Sequence, residues 1–537
     1  MASTTRDETQ APIRWWREKP VWIMLLLGFS AGIPILLIFS SLSLWLREAG
    51  VEKSSVTYFS WAALGYSFKF MWAPLIDKVP VPILSKLLGR RRGWLLVSQL
   101  AVIGAICWMA NIDPQHSLVA MALAAVLLGF SSATQDVVID AFRIESSNAR
   151  MQAILGSTYL TGYRVAMIVA GAGALYLAEY FGSTTDVYSY EAWRNTYFCM
   201  AAFMLVGVLT TLTVREPEHE GVDYPYPTKD YLRFTEVFVV SVMAAVAVFW
   251  LAPSAPILAD GGVQHLISFI YGALVLGVAL VVAYWVARMS LRLEFANPDM
   301  VDQGYVAPIK DFLKRYGALA VWVLILVGCY RISDIVLGII ANVFYQDMGY
   351  SKSEIASVTK VFGVLMTILG SFLGGFLALK IGVLRSLLLG AVLVVLTNLL
   401  FVWLTVVGDQ FSYLAIPLPS FSFSEGWSGW TSVTLPRELT IVIIMDNLTQ
   451  GIALIAFIAW LSSLTNISFT ATQYSLFSSI MTLIPKFLGG YSGTLVDMFG
   501  YTNFFLFASA LGLPVIALIL YLSRHMDLKP VAPIKAG

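Results

Sequence analysis

The chain has 537 residues, of which 58% are hydrophobic and only 12% are charged, and its formal net charge at pH 7 is +1. This balance excludes an ordinary soluble globular protein and indicates a membrane protein, while the near-zero charge predicts no nucleic-acid partner. Single cysteines in apolar runs and scattered histidines argue against a disulfide framework, a metal site or a cofactor site. These residues are Cys107, Cys199, Cys329, His116, His219, His265 and His525.

Fourteen apolar runs follow one another along the chain. Each is long enough to cross a ~30 Å hydrocarbon core as an α-helix, so the sequence predicts an all-α polytopic membrane protein. The first run is too long for the core of a signal peptide and lacks a small-residue cleavage pattern, so it is predicted to be the first spanning helix. The predicted spans are 21–46, 57–76, 93–110, 118–142, 151–181, 195–214, 235–252, 265–289, 317–346, 355–379, 385–407, 439–464, 470–496 and 503–523.

Lysine and arginine residues predict the orientation of these spans, because they favour cytoplasmic loops. With the N-terminus inside, 24 of the 34 cationic residues fall on the cytoplasmic side and five on the opposite side. The sequence therefore predicts that both termini are cytoplasmic. The other five lie inside apolar runs, where a charge facing lipid costs ~3 kcal/mol or more. They are Lys69, Arg164, Arg331, Lys360 and Lys486.

An internal repeat divides the chain into two halves. "LWLREAGVEKSSV" (44–56) is echoed by "VFYQDMGYSKSEI" (343–355), and "RMQAILGS" (150–157) is echoed more faintly by "TATQYSLFS" (470–478). Two parallel six-helix halves around a two-helix insert resemble the architecture of the major facilitator transporters. The predicted parts are a cytoplasmic tail (1–20), an N-terminal half (21–214), a cytoplasmic linker (215–234), the insert (235–289), a second cytoplasmic linker (290–316), a C-terminal half (317–523) and a cytoplasmic tail (524–537).

The loop after the second helix, "APLIDKVPVPILSKLLGRRRGW" (73–94), resembles a stretched form of the major facilitator loop motif. Asp77 ends the helix where Arg90, Arg91 or Arg92 could reach it or the adjacent half. The motif therefore predicts a charge latch that gates the transporter by stabilising one conformation. The alternative is that these arginines serve only as a positive-inside anchor. Neither interpretation places the solute here.

The fourth helix ends in "SSATQDVVIDAFRIE" (131–145), which is unusually polar for a membrane span. Asp136, Asp140 and Arg143 are spaced i, i+4, i+7 and share one face, which should line a cavity or pair with another helix. A carboxylate there can bind and release a proton, so both aspartates are candidates for proton coupling, with Arg164 of helix five as the switching partner of Asp136. The alternative is a local gating latch of Asp140 with Arg143.

Helix nine carries a second polar stripe, formed by Arg331, Asp334, Gly338 and Asn342. It predicts an Arg–Asp pair at a central cavity and adds Asp334 to the proton-coupling candidates. Counting five intramembrane cations against three aspartates, we expect an anionic solute. The candidates for contact with that solute are Lys69, Gln135, Arg164, Arg331, Asn342, Gln473 and Lys486.

Together, "ATQDVVIDAFRIE" (133–145), "APLIDK" followed by "GRRRGW", the Arg–Asp motif of helix nine and "ATQYSLF" (471–477) resemble the anhydromuropeptide permeases, the AmpG group of Gram-negative inner membranes. The resemblance extends over nearly the whole chain. It implies proton-driven import of N-acetylglucosaminyl-1,6-anhydromuramyl peptides (muropeptides) for peptidoglycan recycling. In some bacteria it also implies a link to β-lactamase induction and thus to antibiotic resistance. Such solutes carry several carboxylates.

Two other kinds of function remain open from the sequence. Acetyl-coenzyme A transporters share a similar Gln-Asp-x-x-x-Asp pattern and also carry an anion. A membrane-embedded enzyme or a receptor that transports nothing is the alternative of another class. The sequence shows no metal-ligand cluster, Ser–His–Asp set or phosphate loop, which argues against the enzyme. The repeat and the buried charges in both halves favour alternating access over a receptor. The long loop 408–440 is predicted to be periplasmic, where it either caps the entrance or, preferably, rests at the membrane interface.

Overall fold

A computed structural model of the chain describes almost all of the spanning segments. The described residues are 15–51, 64–148, 150–183, 188–217, 226–253, 256, 262–351, 354–355, 357–407, 412–422, 426–489 and 492–526.

The N-terminal half, as described, is helical throughout. Its helices are α1 (Lys19–Ile38), α2 (Ser40–Glu48), α3 (Leu64–Phe68), α4 (Ala73–Lys78), α5 (Leu84–Leu88), α6 (Arg90–Ala110), α7 (Leu118–Glu145), α8 (Gln152–Ile168), α9 (Ala174–Tyr180), α10 (Tyr190–Phe203) and α11 (Leu205–Thr213). A short 3-10 turn (Lys69–Met71) joins α3 to α4, and a π-helical turn (Val169–Gly173) joins α8 to α9.

The insert and the C-terminal half follow. Their helices are α12 (Thr228–Leu251), α13 (Gly262–Arg292), α14 (Pro298–Val301), α15 (Ala307–Tyr316), α16 (Ala320–Cys329), α17 (Ile332–Asp347), α18 (Val364–Ile381), α19 (Val383–Val407), α20 (Arg437–Leu464), α21 (Thr470–Gly489), α22 (Ser492–Ala510, bent at Gly500) and α23 (Gly512–His525). π-helical turns occupy Asp302–Val306 and Ser357–Gly363.

Twelve segments within the described residues are long and apolar enough to cross a membrane. The predicted spans 57–76 and 470–496 both contain residues outside the described part, so the count of fourteen stays a prediction. The all-α prediction omitted one feature, an antiparallel hairpin of β1 (Tyr413–Ser422) and β2 (Gly426–Pro436) within the predicted loop 408–440. Its second strand contains the threonine, valine and tryptophan residues that favour extended backbone.

Two glycines with positive φ lie in the tight connections between consecutive helices. Gly89 (φ +97°) separates α5 from α6, so that the arginine run stands at the start of α6. Gly382 (φ +86°) makes the tight connection between α18 and α19. Glycine adopts this left-handed region without the steric penalty that a Cβ atom would bring.

Small residues let several helices pack backbone against backbone. A Cβ atom added to Gly162 of α8 would lie 2.0 Å from the carbonyl oxygen of Leu25 in α1, and one added to Gly370 of α18 would lie 2.0 Å from that of Leu448 in α20. Close approach through small residues is a general means of helix association in membranes, where the hydrophobic effect between helices is weak. These contacts fix α8 and α20, which carry charged residues of the site described below.

The two halves meet at one end of the bundle, which we call the latch end and define by Asp77, Ser157, Ser371 and Thr472. The hydroxyl of Ser157 in α8 donates to the carbonyl oxygen of Ser371 in α18 (2.7 Å). The hydroxyl of Thr472 in α21 donates to the carboxylate of Asp77 (2.7 Å). The N-terminal half is thereby bonded to the C-terminal half at this end.

The linker that follows the insert contacts both halves at the latch end. The Tyr305 hydroxyl donates to the carbonyl oxygen of Met71 in the N-terminal half (3.0 Å). The side-chain amide of Gln473 in the C-terminal half donates to the carbonyl oxygen of Pro308 (2.8 Å). This linker is therefore a bridge across the junction.

The close approach of α1 and α8 predicts a strong effect of a larger residue. Gly162→Val should destabilise the protein by about 2 kcal/mol or more, because the added carbons meet backbone atoms that cannot move aside independently. The thermal unfolding midpoint of the purified protein in detergent measures this. Gly104→Ala in α6 is the control, because its Cβ meets no atom within 4 Å and alanine favours the helix. Equal midpoints for Gly162→Val and the parent would contradict the prediction.

Candidate transport site

The space between the halves contains a carboxylate cluster contributed by the N-terminal half. Asp136 and Asp140 lie one turn apart on α7, as their spacing predicted. Lys69, from the 3-10 turn between α3 and α4, places its Nζ 4.0 Å from Asp140 and lies in electrostatic range of Asp136. The interruption of the second helix thus turns a buried lysine toward both carboxylates.

Tyrosines surround Asp136 on its other sides. The hydroxyl of Tyr159 in α8 donates to Asp136 (3.4 Å), and Tyr66 and Tyr163 lie close enough to interact with it electrostatically. The Tyr66 hydroxyl itself donates to Ser132 (2.6 Å). Asp136 is therefore enclosed by hydroxyl groups, with no ion-pair partner within 4 Å among the described side chains.

The C-terminal half contributes an ion pair at a break in its first spanning helix. Arg331 stands between α16 and α17, and its guanidinium donates to Asp334 through Nε (3.1 Å) and Nη2 (2.5 Å). Asp334 occupies the first turn of α17, where the helix dipole favours a negative charge. The stripe continues through Gly338, beside which no atom would meet an added Cβ, to the exposed Asn342. This face of α17 borders open space.

A second guanidinium reaches the same region from the opposite half. Arg164 of α8 lies in electrostatic range of both Arg331 and Asp334. Among the described residues, its buried Nε has no hydrogen-bond partner, and its Nη1 donates to the sulfur of Met167 (3.7 Å). Two guanidinium groups, one from each half, thus interact electrostatically with each other and with the carboxylate of Asp334. An anion placed there would satisfy donors that the protein leaves unpaired.

The sequence predicted that Arg164 is the switching partner of Asp136, and the structure places Arg164 elsewhere. Consecutive residues of a helix point about 100° apart, so Tyr163 faces Asp136 while Arg164 faces Arg331 and Asp334. In this conformation Arg164 therefore belongs to the C-terminal side of the site.

A small cavity lies beside the ion pair in the C-terminal half. Besides Arg331 and Asp334 it is lined by Tyr330, Gln450 and apolar residues of α19, α20 and α23. The cavity has room for about one water molecule.

Sequence reasoning missed Asp446. This aspartate lies in the middle of α20, is 6% exposed, and accepts a hydrogen bond from Gln450 (2.8 Å). Its position inside the predicted span 439–464 was the available signal. With it, the five cations of the predicted spans face four aspartates, so the excess of positive charge falls to one and favours an anion only weakly. That preference now depends on the local arrangement of Arg164 and Arg331.

A charge cluster connects the halves at the latch end. The buried Arg91 donates to Asp77 (2.8 Å) and, through Nε and Nη2, to Glu145 at the end of α7 (2.9 and 2.5 Å). Asp77 in turn accepts from the backbone N–H groups of Ala471 (3.1 Å) and Thr472 (2.8 Å). Both N–H groups belong to the first turn of α21, where they have no partner within the helix and where the helix dipole favours an anion. An acid of the N-terminal half thereby caps a helix of the C-terminal half.

Arg92 does not belong to this latch, contrary to the sequence-based assignment. Its guanidinium donates to the carbonyl oxygens of Thr211 (2.9 Å) and Leu212 (2.8 Å), which end α11. Glu216 accepts from the backbone N–H groups of Arg91 and Arg92 at the start of α6. Burial raises the pKa of the Glu216 carboxyl, although these two bonds oppose the rise. Arg92 and Glu216 therefore hold helices of the N-terminal half together.

Arg143 joins α7 to the C-terminal half. It donates to Gln152 (2.9 Å) and to the Ser462 hydroxyl of α20 (3.0 Å), and it lies over the ring of Tyr474. Its contact with Asp140 is longer (3.4 Å). The predicted local latch with Asp140 is thus accompanied by a bond between the halves.

Two predicted solute contacts have other roles in the structure. Gln135 is fully buried and donates to Ser30 of α1 (2.8 Å), so it packs helices within one half. Gln473 bonds to Pro308 and accepts from Arg315 (3.0 Å) at the latch end. Periodicity placed both on polar faces but did not identify what those faces touch. Neither lies with the charges between the halves.

Arg90 and Lys486 are the remaining predicted site residues. Arg90 donates to the backbone carbonyl of Asp77 (2.7 Å), beside the latch. The side chain of Lys486 lies outside the described residues, as does that of Lys360.

Two helical halves that enclose buried charges and meet at one end are the architecture of many secondary transporters. The sequence matches the Major Facilitator Superfamily over residues 24–295. The chain belongs to the major facilitator superfamily, which confirms the predicted fold class.

Similar proteins indicate which group of the superfamily this chain resembles. AmpG 4 of Rickettsia felis is 29% identical over 512 residues, which cover 95% of this chain and 98% of that protein. The anhydromuropeptide permease of Escherichia coli K12 is 26% identical over 517 residues, which cover 96% of this chain and 82% of that protein. These similarities confirm the sequence-based identification of an AmpG-type transporter.

Solved structures agree on the fold. The proton:xylose symporter XylE superposes with a TM-score of 0.56 at 10% identity, covering 94% of each chain. FucP in its outward conformation gives a TM-score of 0.54 at 10% identity, covering 94% of this chain and 98% of FucP. At this identity the likeness concerns the fold alone.

The latch predicts a pH-dependent stability. Burial alone would raise the pKa of the Asp77 carboxyl, but Arg91, Arg90 and the hydrogen bonds from Arg91 and Thr472 outweigh it and hold the pKa below its usual value. A carboxyl whose pKa is lowered by folding contributes stability above its unfolded pKa of about 4, and loses it as pH falls through the folded value.

We therefore expect Asp77→Asn to lower the thermal unfolding midpoint at pH 7, and the difference from the parent to shrink below about pH 4. The control is Glu236→Gln, which removes an exposed carboxyl of α12. An Asp77→Asn difference that stays constant from neutral to acidic pH would show that the charge of Asp77 does not hold the latch.

Proposed function

We propose that this chain imports muropeptides, the N-acetylglucosaminyl-1,6-anhydromuramyl peptides, across a Gram-negative inner membrane for peptidoglycan recycling, together with protons. The observation that carries the proposal is the pair of guanidinium groups, Arg164 and Arg331, that lie in electrostatic range of each other from opposite halves. A relative named anhydromuropeptide permease supports the class of solute. Import would also deliver muropeptides to the compartment where β-lactamase induction takes place.

The orientation of the latch supports import from the periplasm. The excess of lysine and arginine on one side supports a cytoplasmic position for the latch end. Among the described residues, the hydrogen bonds that join helices of the two halves directly lie at this end. A transporter closed on its cytoplasmic side offers its central site to the periplasm.

The solute carboxylates would bind between the two guanidinium groups. Arginine presents a planar set of donors that matches a carboxylate with two parallel hydrogen bonds, which lysine cannot do. A carboxylate held by both Arg164 and Arg331 would also replace the repulsion between the halves with attraction. Solute binding would thereby favour closure around the site, because a ligand shifts a conformational equilibrium toward the state that it binds better.

Asp136 is the first candidate for the coupled proton. Asp140 has Lys69 and Arg143 near its carboxylate, and Asp334 is bonded to Arg331. Asp136 has hydroxyl neighbours instead of an ion pair, and a carboxylate in such surroundings can hold a proton. Opening of the latch would change these surroundings and release the proton to the cytoplasm.

The proposed carboxylate contact predicts that Arg331→Lys weakens muropeptide binding about tenfold, because a charge-assisted hydrogen bond is worth ≈ 1.5–3 kcal/mol. The dissociation constant of labelled muropeptide for the purified protein measures this. Arg288→Lys, at an exposed site of α13, is the matched control. If Arg331→Ala binds muropeptide as tightly as the parent, Arg331 does not hold the solute. If acetyl-coenzyme A binds and muropeptide does not, the solute assignment is wrong.

The role of Asp136 predicts a separation of binding from accumulation. Asp136→Asn should abolish uptake driven by a proton gradient in proteoliposomes, because the amide cannot carry a proton, while muropeptide binding stays measurable. Asp140→Asn, one turn away on the same face, is the comparison. Accumulation by Asp136→Asn together with failure of Asp140→Asn would transfer proton carriage to Asp140.

A further inference from the structure

We propose that Asp446 is a second proton-binding residue, and that its proton strengthens the binding of an anion by Arg164 and Arg331. The proposal rests on the proposed function for the identity of the anion, but the proton site itself is independent of it. Sequence reasoning did not assign this aspartate.

Among the described residues, no cation pairs with the carboxylate of Asp446. The carboxyl group is buried in the middle of α20, and the described residues give it one hydrogen bond, from the side-chain amide of Gln450. An ionised carboxylate in a protein interior generally requires a cation or several donors. One amide donor is a weak substitute, so a proton is the simplest means of neutralising this group.

The groups that face Asp446 come from its own helix and from neighbouring helices. From α17, Asp334 and Tyr345 lie in electrostatic range of it. Arg331 stands beyond Asp334 and is bonded to it, and Arg164 of α8 faces that pair. The side chain of Lys360, in the turn before α18, lies outside the described residues. Among the described side chains the nearest charge is therefore a second carboxylate.

Two carboxylates that share one cation do not readily ionise together. Asp334 already takes the charge of Arg331 through two bonds to one of its oxygens. A negative charge on Asp446 would be repelled by Asp334 in a medium of low dielectric constant. The pair therefore holds one proton more easily than none.

This proton changes the charge available to an anion. With Asp446 protonated, the two arginines and the ionised Asp334 leave one net positive charge at the site. With Asp446 ionised, the same four side chains are neutral. An incoming carboxylate therefore binds better when the proton is present, and by linkage the carboxylate must raise the affinity for the proton by the same factor.

Gln450 supplies the physical connection between the two sites. It donates to Asp446 and also lines the small cavity beside Arg331 and Asp334. Water in this cavity would give Asp446 a route for its proton. The proton and the solute anion would thus be taken up from the same side.

The first experiment needs no solute. Infrared difference spectra of the purified protein between acidic and alkaline pH record the carbonyl stretch of protonated carboxyl groups. We expect a buried-carboxyl band that is missing from Asp446→Asn and present in Asp497→Asn, the control at an exposed aspartate. A spectrum of Asp446→Asn identical to that of the parent would overturn the proposal. If Asp446→Asn does not fold, Asp446→Glu takes its place: a displaced band supports the assignment and an unmoved band overturns it.

The second experiment tests the coupling to the anion. The affinity of the parent for labelled muropeptide should fall by up to about tenfold per pH unit as Asp446 ionises, the limit for one linked proton. Asp446→Asn should bind with little pH dependence, because its side chain is always neutral. The parent slope in Asp446→Asn would overturn the coupling. Absence of muropeptide binding in the parent would refute the proposed function and leave the infrared result to decide on the proton site.

Discussion

The cost of placing charge in hydrocarbon is the constraint on which this structure depends. A helix that carries an aspartate or an arginine must turn it inward and provide a partner, a hydroxyl shell or water. The described charges follow three such solutions. Arg91 is satisfied by two acids at the latch, and Arg331 is satisfied by one acid beside a cavity. Asp136 is enclosed by tyrosines. The first solution fixes a conformation, and the other two leave capacity for a solute or a proton.

These different ways of stabilising charge explain why the two halves are bonded at the latch end and can bind a solute or a proton between them. At the latch end, carboxylates, guanidinium groups and helix N-termini satisfy one another across the halves, so little is gained by binding anything else. Between the halves, Arg164 lacks an acidic partner of its own. The same residue types thus serve closure or recognition according to whether their hydrogen-bonding capacity is complete.

Periodicity and hydrophobicity predicted much of this arrangement, and their limits are physical. The i, i+4 spacing of Asp136 and Asp140 correctly placed them on one face, since helix geometry is local. The partner of Arg164 depends on which helix packs opposite it, and a local sequence pattern carries no information about that. Gln135 and Gln473 illustrate the same limit, because a polar face can pack against a neighbour as well as line a cavity. Asp446 was missed because a single acid forms no stripe, although its depth in an apolar span marked it.

The linker after the insert limits how far the two halves can separate at the latch end. Its Tyr305 is bonded to the N-terminal half and its Pro308 to the C-terminal half, only three residues apart. A segment of three residues can lengthen very little, because even a fully extended residue spans only about 3.5 Å. When the halves separate at this end, the linker must release one attachment or limit the gap. The width to which the latch end can open, and with it the largest solute that can pass there, is therefore set in part by a segment outside both six-helix halves.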